Sequence, residues 1–198
     1  SQCMTYVSCH DNHTLFDRLE ISREDASEAD RLKMHRLAGT IVLTSQGVSF
    51  LHAGTELART KFGVENSYES PDSINQFTWE RKAKYNDHYN FYKGLVQLRK
   101  NHPAFRMTTT ADIQKHLEFM PTQELFVGYQ ISDNANGDSW KNIIVLLNGS
   151  DKSRSVDIPK GDWTIVLEDD KIDENGIRKI TGESVEIPAI GALILVQK

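Results

Sequence analysis

The tripeptide Asn101-His102-Pro103 most constrains the fold, because it separates two segments with different periodicity. Proline and the residue before it both resist helix. Upstream, Met34, Leu37, Ala38, Ile41 and Val42 recur at helical spacing. The pair Ser27 and Asp30 should cap that helix, and Gly47 should stop it. Phe91, Tyr92, Leu95 and Leu98 define a second helix, with Asn86 and Asp87 as its expected caps. Downstream come short β-prone runs at residues 117–119, 124–131, 140–147, 155–158, 163–167, 177–180, 184–187 and 192–196. Asn136-Gly137, Asn148-Gly149, Gly161-Asp162, Asn175-Gly176 and Gly191 separate most of them. Many short strands with regular turn signals predict an antiparallel β-sandwich.

The first half also carries strand signals. Residues 5–9 read as a buried strand and residues 48–52 as a second, on either side of the first helix. Strand, helix, strand is the signature of a parallel sheet. Residues 14–27 read as a polar connection anchored by Leu15, Phe16 and Leu19. Residues 55–85 read as one long aromatic-rich loop, a kind that is usually functional or disordered. The expected fold class is α/β plus all-β, with a boundary near residues 101–106. Two parallel strands and two helices cannot close a barrel or cover both faces of a parallel sheet. Further strands from another chain are therefore expected, or else a rebuilt, swapped or partly disordered first half. The unpaired strand edges favour self-association.

Charge and hydropathy narrow the partners. A net charge of −5 leaves no basic stripe for nucleic acid. No apolar run approaches the roughly 20 residues of a membrane span, and Ser1 to Thr5 lacks the features of a signal peptide. Cys3 and Cys9 would lie about 20 Å apart along an extended strand, too far for a disulfide. The compartment stays undetermined.

The chemistry concentrates in Val7-Ser8-Cys9-His10-Asp11-Asn12-His13-Thr14, at the end of the first expected strand. In α/β folds, ligands meet the C-terminal ends of parallel strands. Three readings of the cluster compete. In a sugar site, a carboxylate and an imidazole grip adjacent hydroxyls and tighten on an oxocarbenium ion. In a metal site, His10, Asp11 and His13 would be ligands, although a continuing strand puts the two histidines on opposite faces. In a plain polar loop, Asp11 or Asn12 caps a helix. Elsewhere, Glu56 reads as a brace for the turn Ala53-Gly54-Thr55-Glu56, and His35 as a surface or packing residue. Trp79, Tyr85, Tyr89 and Tyr92 read as core or interface packing in preference to a sugar platform. Asp169, Asp170, Asp173 and Glu174 read as a solvated hairpin tip in preference to a calcium site.

The segment from Tyr6 to Asp17 resembles the seventh barrel strand of the α-amylase superfamily (glycoside hydrolase family 13), in its type I pullulanase form Y-V-S-x-H-D-N-x-T-L-x-D. Phe50-Leu51-His52-Ala53-Gly54-Thr55-Glu56 resembles the eighth strand. Residues 66–76 resemble the N-S-Y-x-S-x-D-x-x-N loop, and residues 116–119 and 134–140 resemble the C-terminal sandwich. The likeness spans nearly the whole chain in family order.

The resemblance implies the end of a (β/α)8 barrel, strands 7 and 8 with their helices, in residues 1–103, and an antiparallel β-sandwich in residues 104–198. It implies cleavage of α-1,6-glucosidic links in pullulan or branched α-glucans such as starch and glycogen, with retention and without cofactor or metal. Asp11 matches the transition-state-stabilising carboxylate and His10 its sugar-binding neighbour. Asn12 matches a residue near the acceptor side. Asp72 matches an acid that binds the sugar two positions from the cleaved bond, with Asn75 and Gln76 in the same substrate-binding loop. Related enzymes often carry Arg where Gln76 stands, so an ion pair with Asp72 is lost here. The nucleophile and the general acid would come from the fourth and fifth strands, which resemble nothing in these 198 residues. The N-terminal part of the barrel would thus be a required partner, and the chain alone is expected to be inactive. The rival reading is a non-catalytic carbohydrate-binding or structural β-sandwich module.

Overall fold

The computed structural model describes residues 3–121 and 123–198. Strands β1 (Met4–Thr5) and β2 (Val48–Ser49) pair in parallel, Met4 with Val48 and Thr5 with Ser49. They are shorter and more exposed than residues 5–9 and 48–52 predicted: Met4, Tyr6, Val7, Val48 and Phe50 all stand in solvent. Each strand has the other as its one described partner. Between them lie helices α1 (Leu15–Ser22) and α2 (Glu28–Thr44). Helix α1 replaces the expected polar connection. Thr14 accepts a bond from the Asp17 N–H and caps it, and Phe16 is buried. Ser27 caps α2 as expected, through the Asp30 N–H at 3.1 Å.

The long loop after β2 contains two short helices, α3 (Asp72–Asn75) and α4 (Glu80–Lys84). Helix α5 (Asn86–Asn101) ends before Pro103, as the sequence required. Its N-terminus lacks a side-chain cap, so Asn86 and Asp87 do not serve as one. The buried Arg99 guanidinium donates to the carbonyls of Leu43, Ser45 and Gly47 at 2.8–2.9 Å. It thereby satisfies the free C-terminal end of α2 and fixes the path into β2.

After α6 (Thr110–His116), the chain forms one antiparallel sheet from β3 (Leu117–Phe119), β4 (Phe126–Ile131), β5 (Asn142–Asn148), β6 (Arg154–Glu168), β7 (Lys171–Ile172), β8 (Arg178–Ile187) and β9 (Gly191–Gln197). The order is β3-β4-β5-β9-β6-β7, with β8 also on β6. The runs at 155–158 and 163–167 are one strand, not two. Gly161-Asp162 makes no turn, and the register shifts between Asp157 and Gly161. Pro159 has no N–H for a ladder, so it sits in that irregularity, where its carbonyl accepts the Trp163 indole N–H at 2.8 Å. The runs at 177–180 and 184–187 likewise merge into β8.

The central strands are buried on both faces. Ile143, Val145 and Val196 pack with Leu95, Leu98 and Leu43 of the helices. Ile144, Leu146, Leu193 and Leu195 pack with Trp163, Val185 and Ile187 on the other face. Alternation along a strand sends successive side chains to opposite faces, so such a strand is apolar throughout. The first core therefore runs continuously from the helices on one side of Pro103 to the sheet on the other.

Candidate active-site wall

Beyond β1 the chain turns sharply. Asn12 takes a left-handed conformation (φ 62°), which Asn tolerates better than most residues. Thr14 then starts α1 two residues later. On the connection between β1 and α1, His10 and Asp11 stand out from the surface. Their side chains are 86% and 73% exposed, with His10 Nε2 3.7 Å from Asp11 Oδ1. A cleft of about 440 Å³ opens here, lined by Ser8, Asp11, Asn12, His13, Arg18 and Glu65 among others. Ser8 Oγ and His13 Nδ1 are buried without a protein hydrogen-bond partner. Among the described residues, no three His, Cys, Asp or Glu side chains gather as metal ligands.

Beyond β2 the chain turns at Gly54 (φ 94°), where a Cβ would sit 2.8 Å from Arg59 Cδ and Phe77 Cε1. The Gly54 N–H donates to Glu56 Oε2 at 3.2 Å, so Glu56 braces this turn. His52 is half-buried. Burial, then Arg59, Lys61 and His10, push its pKa down and favour the neutral imidazole.

Two devices hold the strand exits together. Asp17, buried at the start of α1, accepts bonds from the Lys61 N–H at 2.7 Å and from the Thr60 hydroxyl. Phe16, Ala58 and Tyr85 form a small separate core, with the Arg81 guanidinium 4.6 Å over Phe16.

Asp72 and Gln76 sit exposed at the two ends of α3, joined through the Gln76 N–H to the Asp72 carbonyl at 2.7 Å. The Asn75 amide donates to the carbonyls of Ser67 and Ser70 at 2.7 and 3.0 Å, which folds the loop onto itself. The Asp11 cleft is not lined by Asp72, Asn75 or Gln76. Arg59 makes the link between the two groups: it donates to the Asn75 carbonyl at 2.7 Å and lies 3.4 Å from His52 Nε2. Sequence reasoning missed Arg59, Lys61 and Glu65, whose only signal was charge in a loop, and quoted Asp17 only as the last residue of a motif without giving it a role. Arg59 and Asp17 act through partners 16 and 44 positions away.

Of the other sequence readings, Tyr85 and Tyr92 are buried, but Trp79 is 66% exposed, against the expectation of packing. His35 is buried and bonded to the Tyr92 hydroxyl at 3.0 Å. Asp169 and Asp170 form the turn between β6 and β7, while Glu174 meets His102 at 3.5 Å.

The chain is similar to several known proteins. Residues 113–171 match the family model of the pullulanase all-beta domain. A pullulanase of Bacillus subtilis is 43% identical over 153 residues, which is 77% of this chain and 21% of that protein. An isoamylase of Flavobacterium is 36% identical over 78 residues, 39% of this chain and 10% of its own length. The solved pullulanase of Bacillus acidopullulyticus superposes with a TM-score of 0.95 at 44% identity, over 98% of this chain and 24% of that one. An Anoxybacillus pullulanase solved with maltotriose gives 0.91 at 37% identity, over 100% and 27%. The chain thus spans between 10% and 27% of the length of these proteins. The predominance of antiparallel sheet, the order of the motifs and these likenesses place the chain in the type I pullulanase family of glycoside hydrolases.

Proposed function

We propose that this chain supplies one wall of the active site of a debranching enzyme that hydrolyses α-1,6-glucosidic links in pullulan or branched α-glucans with retention. The observation that carries the reading is the exposed His10–Asp11 pair beyond the exit of a strand paired in parallel with β2. In this reading β1 and β2 are the seventh and eighth barrel strands, and the domains are residues 1–103 and 104–198.

The Asp11 side chain accepts hydrogen bonds from hydroxyls of the sugar at the cleavage point. Those bonds strengthen as positive charge develops on that ring. His10 grips the same sugar, and Asn12 faces the acceptor side. Asp72 and Gln76 bind the sugar farther from the cleaved bond. The Asn75 amide is committed to Ser67 and Ser70, so Asn75 contributes mainly by shaping that wall. A retaining mechanism needs a nucleophile and an acid about 5–5.5 Å apart. Both belong to a part of the enzyme outside these residues, so the chain alone is inactive.

The test uses the longer enzyme that contains this sequence. Asp11→Asn should lower kcat on pullulan by about 10²–10³-fold, the usual effect of removing one such stabilising group. The isolated 198-residue chain should release no reducing sugar. Hydrolysis by the isolated chain, or an Asp11→Asn enzyme within a few-fold of wild type, would overturn the assignment.

A further inference from the structure

Trp79 differs from the other two tryptophans. Trp140 and Trp163 are buried, while Trp79 stands in solvent at the start of α4. It is nevertheless held in place. Its ring stacks on Phe77 with centroids 5.4 Å apart and planes 28° apart. The Arg59 guanidinium lies 4.6 Å from the centroid of the same Phe77 ring. Arg59 is in turn bonded to the Asn75 carbonyl at 2.7 Å and reaches the Ala53 carbonyl at 3.4 Å. A stack tied to the backbone at two points offers a pre-set surface, so little ordering is required when a ligand arrives.

The surroundings point to the ligand. Gln76 and Asp72, both exposed, lie three and seven residues before Trp79. Helix α4 continues as Glu80, Arg81, Lys82, Ala83 and Lys84. An apolar protein partner would call for an apolar neighbourhood, whereas the exposed residues close to Trp79 in the chain include Asp72, Gln76 and Glu80, which are charged or carry an amide. A pyranose fits that mixture. Its C–H face packs on an indole ring, and its hydroxyls take bonds from amides and carboxylates.

We propose that Trp79, backed by Phe77 and Arg59, is a stacking platform for a glucose unit of an α-glucan chain, separate from the His10–Asp11 pair. The proposal rests on the glucan reading above and adds a binding position to it.

Iodide quenching of tryptophan fluorescence in the 198-residue chain reports on Trp79, because Trp140 and Trp163 are shielded. Maltotetraose should protect Trp79 saturably, and the β-linked cellotetraose should not. By calorimetry, Trp79→Ala should weaken maltotetraose binding about tenfold, the equivalent of one aromatic contact. Trp79→Tyr should restore most of that affinity. The proposal fails if iodide cannot reach Trp79 before sugar is added, if maltotetraose gives no saturable protection, if cellotetraose protects equally, or if Trp79→Ala binds as wild type does. Such a failure beside an Asp11-dependent longer enzyme would remove the platform and leave the debranching role standing. Loss of the Asp11 effect with protection intact would do the reverse.

Discussion

His102 Nδ1 lies 2.9 Å from Asp138 Oδ1, and the His102 ring stacks on Trp140 with centroids 3.3 Å apart. This pair fastens the end of α5 to the loop before β5, and both side chains are buried. Asp138 also accepts from the N–H groups of Ala104 and Trp140 at 3.0 and 2.9 Å. Burial by itself would raise the Asp138 pKa. The bonds from His102, Trp140 and Ala104 together outweigh it and hold the carboxyl below its usual range.

Asp138→Ala should therefore destabilise the chain by about 3 kcal/mol, in the range for removing one member of a buried pair. Urea unfolding at pH 7 measures it. The folded pKa lies below the unfolded one, so this contribution is present above the unfolded value of 3.8 and is lost as the pH falls through the folded value. The wild-type and variant stabilities should converge in strong acid.

A second acid weakness lies at His88. Its ring lies 4.6 Å from that of His35, and neither ring nitrogen makes a hydrogen bond of normal geometry, although the Thr55 backbone is beside it. Burial first, then Arg36 and Arg81, lower its pKa from 6.5 to about 4, against the opposing Thr55 backbone. The unfolded chain thus binds more protons between those values. Stability is complete above pH 6.5 and falls as the pH drops toward 4. His88→Phe should flatten that slope by on the order of 2 kcal/mol between pH 7 and 4.5, read by denaturant midpoints at each pH. The His35 pKa is also lowered, chiefly by burial, and accounts for the slope that remains.

Gly39 sits in mid-helix, where alanine is normally preferred by about 1 kcal/mol. Here an added Cβ would fall 2.5 Å from the Tyr92 hydroxyl and 2.6 Å from its Cζ. Tyr92 cannot swing away without losing its bonds to His35. Overpacking of about 1–3 kcal/mol should exceed the propensity gain, so Gly39→Ala should lower the thermal midpoint.

What the sequence showed follows from how local each signal is. The Ser27 cap, the stop at Pro103 and the apolar β5 and β9 depend on neighbours in the chain, and all were readable. Helix α1 was missed because its eight residues, about two turns, are too short to show a period, although Thr14 and Asp17 form a cap. The continuity of β6 was hidden because Gly161-Asp162 looks like a turn until a partner strand carries the chain past it. The site divides in the same way. His10 and Asp11 stood out as a cluster, whereas Arg59 and Asp17 matter only through distant carbonyl and amide groups.

Asp17 provides the most direct test of that distant wiring. It is buried, with one oxygen on the Lys61 N–H and the other on the Thr60 hydroxyl. Lys61 in turn reaches the Glu65 carbonyl with its ammonium group at 3.0 Å. One carboxylate therefore holds the segment that brings Glu65 to the Asp11 cleft. Asp17→Asn keeps the shape but replaces one acceptor with an NH2 donor, which would face either an N–H or a hydroxyl already held by a neighbour. A buried donor left unpaired costs about 1–3 kcal/mol. The loss should be local, because the main cores lie elsewhere. Hydrogen exchange should show faster exchange at Lys61 and Phe62 in the variant, with the amides of β5 and β9 unchanged. If protection instead fell equally across the sheet, Asp17 would be holding the whole fold and not this wall alone.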